Sequence, residues 1–235
     1  MDNIVDQTLD IVAQYSIETT NMLAGALSAG LITTIKIGDG ADKNSVVEIF
    51  KGLHTDCNLK RLYITDDRCN FEWLDHINIP TNFRLDELKI LSNNKTLINK
   101  YFELLSGVQI NRIVVVGIDI YNPIRVDDIP NFLFLMRNNV SLETICLSYT
   151  TVTKEFIECL PLTIQKLKLH YCTFNEGGMC ALINYISESK SMKRLYALYN
   201  DYDETDRHIS AELSPPQIKY IGTLTAFQKA LIRKN

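Results

Sequence analysis

The chain has 235 residues, an apolar fraction of 46%, a charged fraction of 22% and a net charge of −4. This is ordinary globular composition, and a mildly acidic balance excludes a general attraction to nucleic acid or an anionic membrane. No stretch approaches the roughly eighteen uninterrupted apolar residues of a membrane span, and Met1 to Gln7 lack the basic start of a signal peptide. An intracellular location, cytoplasm or nucleus, is therefore expected.

From the start of the chain, Ile4, Val5, Leu9, Ile11, Val12 and Tyr15, then Met22, Leu23, Ala26 and Leu27, suggest one or two helices. Residues 1–30 are read as a helical cap.

Seven copies of the pattern L-x-x-L-x-L, with Ile, Val, Met or Ala as substitutes, then run from residue 32 to residue 197. They are Ile32–Ile35–Ile37, Leu59–Leu62–Ile64, Leu85–Leu88–Ile90, Ile110–Ile113–Val115, Leu142–Ile145–Leu147, Ile164–Leu167–Leu169 and Met192–Leu195–Ala197. Their starts are separated by 27, 26, 25, 32, 22 and 28 residues. Near-constant spacing of this size predicts a solenoid, one short strand and one return segment per turn. Within each copy the last two apolar residues sit two apart, the strand period, so both point to one face.

The returns carry helical periodicity. Leu97, Tyr101, Leu104 and Leu105 predict one helix; Met179, Leu182, Ile183 and Ile186 predict another. Asp128 before Ile129-Pro130 suggests a cap with Pro in the first turn, ahead of Phe132 to Met136. Lys154 to Leu160 is a shorter return. The longest interval holds an excursion over 117–127, broken by Asn122-Pro123.

The six cysteines, at 57, 69, 146, 159, 172 and 180, form no C-x-x-C pair, and several occupy apolar positions of the pattern. Buried reduced thiols are expected rather than a disulfide framework or a metal site. Asn94-Lys-Thr96 and Asn139-Val-Ser141 match the glycosylation pattern, but an intracellular chain does not meet the transferase. Asp201 to Asp206 is acidic yet lacks the spacing and closing Glu of a calcium loop. After it, Ser214-Pro-Pro-Gln217 has capping-box spacing. Ile218, Ile221, Leu224, Phe227 and Leu231 form one stripe, ending near basic Lys229, Arg233 and Lys234. Residues 203–235 are read as an acidic turn and a C-terminal capping helix, and 31–202 as the seven repeats.

The segment Asn138-Asn-Val-Ser-Leu142-Glu-Thr-Ile145-Cys-Leu147-Ser, with Cys172, Asn93 and Asn200 at the Asn/Cys position of other copies, resembles leucine-rich repeat proteins. The helix-bearing repeats resemble the ribonuclease-inhibitor-like subclass. The pattern departs at Asp67 and Ile118, where irregular turns are expected. The resemblance implies an α/β horseshoe with a concave parallel sheet of about seven strands, convex helices and helical caps at both ends. It also implies protein binding, by analogy of fold.

In such a horseshoe the residues between the inward positions line the concave face. The first row is Thr34, Arg61, Glu87, Arg112, Thr144, Lys166 and Arg194; the second is Lys36, Tyr63, Lys89, Val114, Cys146, Lys168 and Tyr196. The third is Gly38, Thr65, Leu91, Val116, Ser148, His170 and Leu198. Seven of these residues are basic and only Glu87 is acidic, so charge is segregated by face. Partner-binding candidates are Arg61, Tyr63, Lys89, Arg112, Val114, Lys166, Lys168, His170, Arg194 and Tyr196. Long basic side chains beside strand leucines also serve simply as a solvated face.

The expected function is a non-enzymatic protein-interaction module that binds an acidic or mixed protein surface. Alternatives are an adaptor or substrate receptor, although residues 1–30 carry no F-box pattern, or a pathogen effector that mimics host repeat proteins. A nucleic-acid-binding role ranks lower, since no Gly-rich or RNP-like motif accompanies the basic residues. Ser148 and His170 fall side by side, but no carboxylate follows to orient the imidazole, so no catalytic residue is assigned. No cofactor, metal or membrane contact is expected.

Overall fold

Two apolar residues spaced by two need a strand to bring both inward, and each of the seven copies lies on one. In the computed structural model, which describes residues 7–65, 71–119, 121, 123–175, 177–198 and 201–202, these strands are β2 (Thr34–Ile37), β3 (Arg61–Thr65), β4 (Arg84–Leu91), β5 (Gln109–Val116), β7 (Thr144–Ser148), β9 (Lys166–His170) and β11 (Arg194–Leu198). With β1 (Thr8–Ile11) they form one eight-stranded sheet, entirely parallel and in chain order.

The register aligns two apolar ladders. Ile35, Leu62, Leu88, Ile113, Ile145, Leu167 and Leu195 form one; Ile37, Ile64, Ile90, Val115, Leu147, Leu169 and Ala197 form the other. All fourteen are buried, and a fully buried Leu or Ile contributes about 1.5–3 kcal/mol. The leading residue of each copy, such as Ile110 or Ile164, is buried as well.

Parallel neighbours require a crossover between every pair of strands. The crossovers supply a second layer: α1 (Ile17–Ser28), α2 (Lys43–Phe50), a 3-10 turn at Phe71–His76, α3 (Lys95–Leu104), α4 (Pro130–Asn138), α5 (Lys154–Glu158) and α6 (Gly178–Glu188). Side chains close the helix starts where the sequence offers them. Asp42, Asn94 and Thr153 accept from the backbone N–H three residues on, in α2, α3 and α5. Successive crossovers touch through aromatic rings: Trp73 with Tyr101 at 5.7 Å, Phe102 with Phe132 at 4.5 Å, and Phe132 with Phe156 at 6.0 Å. The core lies between this layer and the sheet.

Beyond the ends of the long strands the chain resumes short extended segments: β6 (Ile124–Arg125), β8 (Thr150–Val152), β10 (Thr173–Phe174) and β12 (Asp201–Tyr202). They form a second parallel sheet in the order β6-β8-β10-β12. Cys172, at the Asn/Cys position, is wholly buried in the turn between β9 and β10, its thiol directed at the Leu147 carbonyl oxygen. Asn93 accepts from the Ile118 N–H, serving the same kind of turn.

Three expectations need correction. The segment from residue 3 to 29 is not purely helical: Thr8–Ile11 is a strand, and only Ile17–Ser28 is helix. Leu9 and Ile11 carry the strand period, and Ile11 continues the ladder from Ile37. The backbone of β1 pairs with the edge that β2 would otherwise expose, which makes the sheet eight-stranded rather than seven-stranded. Asp128 does not cap α4. Ile129 occupies that position without a side-chain bond, and Asp128 pairs with Lys95 at 2.8 Å.

The two glycosylation-like asparagines have structural uses, Asn94 as the α3 cap and buried Asn139 as acceptor for the Ser141 N–H. Cys57, Cys146, Cys159 and Cys172 are buried free thiols and Cys180 is partly exposed. Ile4, Val5, Asp67, Cys69, Asn200 and residues 203–235, including the expected C-terminal cap, lie outside the described residues. No helix among the described residues is long and apolar enough to cross a membrane.

Candidate interaction face

With the helices packed on one side, the other face of the main sheet is open, and strand register decides which side chains share it. The first row runs Thr34, Arg61, Glu87, Arg112, Thr144, Lys166 and Arg194 across neighbouring strands. The second runs Lys36, Tyr63, Lys89, Val114, Cys146, Lys168 and Tyr196 in the same way. The third aligns Thr65, Leu91, Val116, Ser148, His170 and Leu198. All ten candidate residues therefore lie on one surface. Eight strands at about 4.8 Å give it a length of about 34 Å.

Strand β1 extends the rows by Thr8 and Asp10, which had no place in the sequence-based rows. Asp10 meets Lys36 at 3.3 Å, so the face carries a second carboxylate beside Glu87.

Electrostatically the face is divided. Toward β1 its cations have partners, Lys89 on β4 excepted. Besides the Asp10–Lys36 pair, Arg61 Nε donates to Thr34 Oγ1 at 3.0 Å. Glu87 receives Arg112 at 3.7 Å and a long hydrogen bond from the Tyr63 hydroxyl at 3.5 Å. Burial, and next the Glu87 charge, raise the Tyr63 phenol above its ordinary range.

Across β7, β9 and β11 the rows hold no carboxylate. Lys166 and Lys168 instead share one ring: their Nζ atoms lie 5.4 and 5.3 Å from the centre of Tyr196, within cation–π range. Two ammonium groups on one ring repel each other, and among the described residues neither forms an ion pair, nor do Lys89 and Arg194. Glu143, at the start of β7, forms none either; its backbone joins those of Asn111 and Gln165. Between the two regions lies an apolar floor of Val114 and Cys146, 8% and 7% exposed. Burial pushes the Cys146 thiol up, partly offset by Arg112, Lys168 and Lys166.

His170 sits beside Ser148 in register, but no hydrogen bond joins the two side chains among the described residues. His170 Nε2 is buried and has no hydrogen-bond partner among the described residues. Burial first, and the Lys168 charge second, hold the imidazole below its ordinary pKa, so it is neutral at pH 7. Ser148 and His170 thus lack the contact that would activate a nucleophile. Among the described residues no group of three His, Cys, Asp or Glu side chains is arranged to hold a metal ion.

One feature of the rim went unread in the sequence. Directly after Ser148 and His170, Tyr149 and Tyr171 adopt left-handed backbone, φ 54° and 51°, a region that costs a non-glycine residue roughly 1–2 kcal/mol. Their rings stack with centres 5.1 Å apart and planes 13° apart, which returns about 0.5–1.5 kcal/mol. Tyr171 remains 47% exposed, whereas Leu169, two residues before it, and Cys172, the next residue, are fully buried. A tyrosine immediately after the third-row residue of consecutive strands was the available signal.

No protein-family model and no curated protein matches this chain. Its class is that of an α/β protein built on a parallel sheet with helical crossovers.

Proposed function

We propose that the chain is a leucine-rich repeat horseshoe of the helix-bearing, ribonuclease-inhibitor-like subclass. On this reading the open face is the concave face, and it binds an acidic segment or surface of another protein without catalysing a reaction. The repeat reading is supported by the coincidence of all seven motif copies with strands in one register.

A single observation carries the binding reading. Lys89, Lys166, Lys168 and Arg194 have no carboxylate partner among the described residues, although the chain as a whole carries −4. Among the described residues, acidic side chains occur elsewhere on the chain and are absent from the face rows of β7, β9 and β11, where Lys166, Lys168 and Arg194 gather. Carboxylates arriving on a partner would relieve the repulsion of Lys166 and Lys168 around Tyr196. Such complementarity speeds association and sets specificity. Val114 and Cys146 supply a dry centre of the kind that carries affinity. The adaptor and effector readings are versions of this one and differ only in the partner.

The test is a comparison of two baits in native lysate at low salt, wild type and the variant R61E/K89E/K166E/K168E. Equal circular dichroism of the two would establish that both are folded. The variant is expected to lose the acidic proteins that wild type retains. Unchanged capture would overturn the reading.

A further inference from the structure

We propose that the stacked pair Tyr149–Tyr171 is the anchor subsite for an apolar side chain of an acidic extended peptide whose carboxylates engage Lys166, Lys168 and Arg194. The proposal rests on the acidic-partner reading above and adds the apolar half of the recognised motif.

The two tyrosines occur in successive turns of the chain, each directly after the last residue of a main-sheet strand, and both hold left-handed φ. Asparagine or glycine would suit that backbone better. Main-chain bonds join these turns, the Gly117 N–H donating to Ser148 O and the Tyr149 N–H to His170 O, and the Cys172 thiol adds a bond to His170 O. The neighbouring strand answers with Gly117, where a Cβ would fall 2.4 Å from the Tyr149 carbonyl oxygen and 3.3 Å from its Cβ. Backbone strain and a neighbouring glycine thus accommodate two rings that stack on each other rather than enter the core. Unfavourable backbone retained beside a candidate binding face is a mark of function, and Tyr is enriched among residues that dominate interfaces.

The pair adjoins cations that form no ion pair among the described residues. Tyr171 directly follows β9, whose first residue, Lys166, lies five positions before it, about 16 Å away at strand rise. A segment of five or six extended residues spans both. Ile118, 41% exposed, directly follows Gly117 and adds an apolar side chain at this strand end. Charge complementarity selects an acidic occupant, and the rings select an apolar residue at one of its ends.

The test uses fluorescein-labelled hexaglutamate peptides carrying Phe at the N-terminal or C-terminal end, and the same peptides with Ala instead. Wild type is expected to bind one Phe peptide at least tenfold more tightly than its Ala counterpart. The variant Y149N/Y171N, whose asparagines tolerate left-handed φ, should lose that preference and keep its affinity for the Ala peptide. Y171N alone, with half the pair intact, should lose part of the preference and serves if the double variant fails to fold. K166E/K168E/R194E should weaken both peptides.

Equal binding of Phe and Ala peptides to wild type, or an undiminished preference in the tyrosine variants, would overturn the anchor while leaving the acidic-partner reading intact. Binding of neither peptide would overturn both. Tighter binding of single-stranded oligothymidine than of the Phe peptide would overturn the peptide assignment in favour of base stacking.

Discussion

Gly117 and Tyr149 are coupled through the backbone: a Cβ built on Gly117 would lie 2.4 Å from the Tyr149 carbonyl oxygen. The Gly117 N–H also bonds to Ser148 O at 2.8 Å, so neither strand end can retreat without breaking the main-sheet ladder. Gly117→Ala is expected to cost about 1–3 kcal/mol, the range of small-to-large strain in a packed region. Urea unfolding monitored by circular dichroism checks it. A cost near zero would mean that the junction of β5 and β7 yields freely.

Phe132 is the central ring of the crossover layer. It stacks on Phe102 at 4.5 Å and approaches Phe156 at 6.0 Å, tying α4 to both α3 and α5. Phe132→Ala should destabilise by about 3–5 kcal/mol through lost transfer energy and the remaining cavity. Phe134, two residues on and 53% exposed, provides the control: its alanine variant should change stability by no more than about 0.5 kcal/mol.

Cys172 predicts a pH dependence. Burial pushes its thiol up to about 11 from a model-compound value of 9.0. Between these values the unfolded chain has lost the proton and the folded chain retains it. Stability should therefore fall as pH rises from 9 to 11, by on the order of 2 kcal/mol from this group. Tyr185, raised by burial to about 12 from 10.0, adds a similar loss at higher pH. In Cys172→Ala the slope between pH 9 and 11 should flatten, as read from denaturation midpoints. In the native wild type at pH 8, iodoacetamide should modify partly exposed Cys180 well before Cys172. Early alkylation of Cys172 would contradict its burial.

Much of the fold was legible in the residues. Leu62 and Ile64, or Leu167 and Leu169, carry the strand period within each copy, and the near-constant spacing of copies brings equivalent residues into neighbouring positions. Leu97 and Tyr101 likewise mark α3, because helical periodicity is a side-chain signal. Strand β1 was harder to read. Its four residues join the sheet through main-chain hydrogen bonds to an open edge, and any apolar pair spaced by two satisfies that condition. The helix beyond it and the apolar residues around it masked the change of period.

The candidate face divides in the same way. That Lys166 and Lys168 share a surface follows from alternation along one strand, a property of the sequence itself. Which of its cations meet carboxylates depended on packing. Asp10 reaches Lys36 only because β1 lies in register beside β2, and Glu87 meets Arg112, its register partner on β5, and the Tyr63 hydroxyl, which reaches it diagonally from β3. Tyr149 and Tyr171 stack because each backbone turns left-handed at the same step, a choice made jointly with Gly117 on the adjacent strand. Periodic burial is written one residue at a time and can be read from the chain; pairing across strands belongs to residues 22 or more positions apart, and only the folded arrangement brings them together.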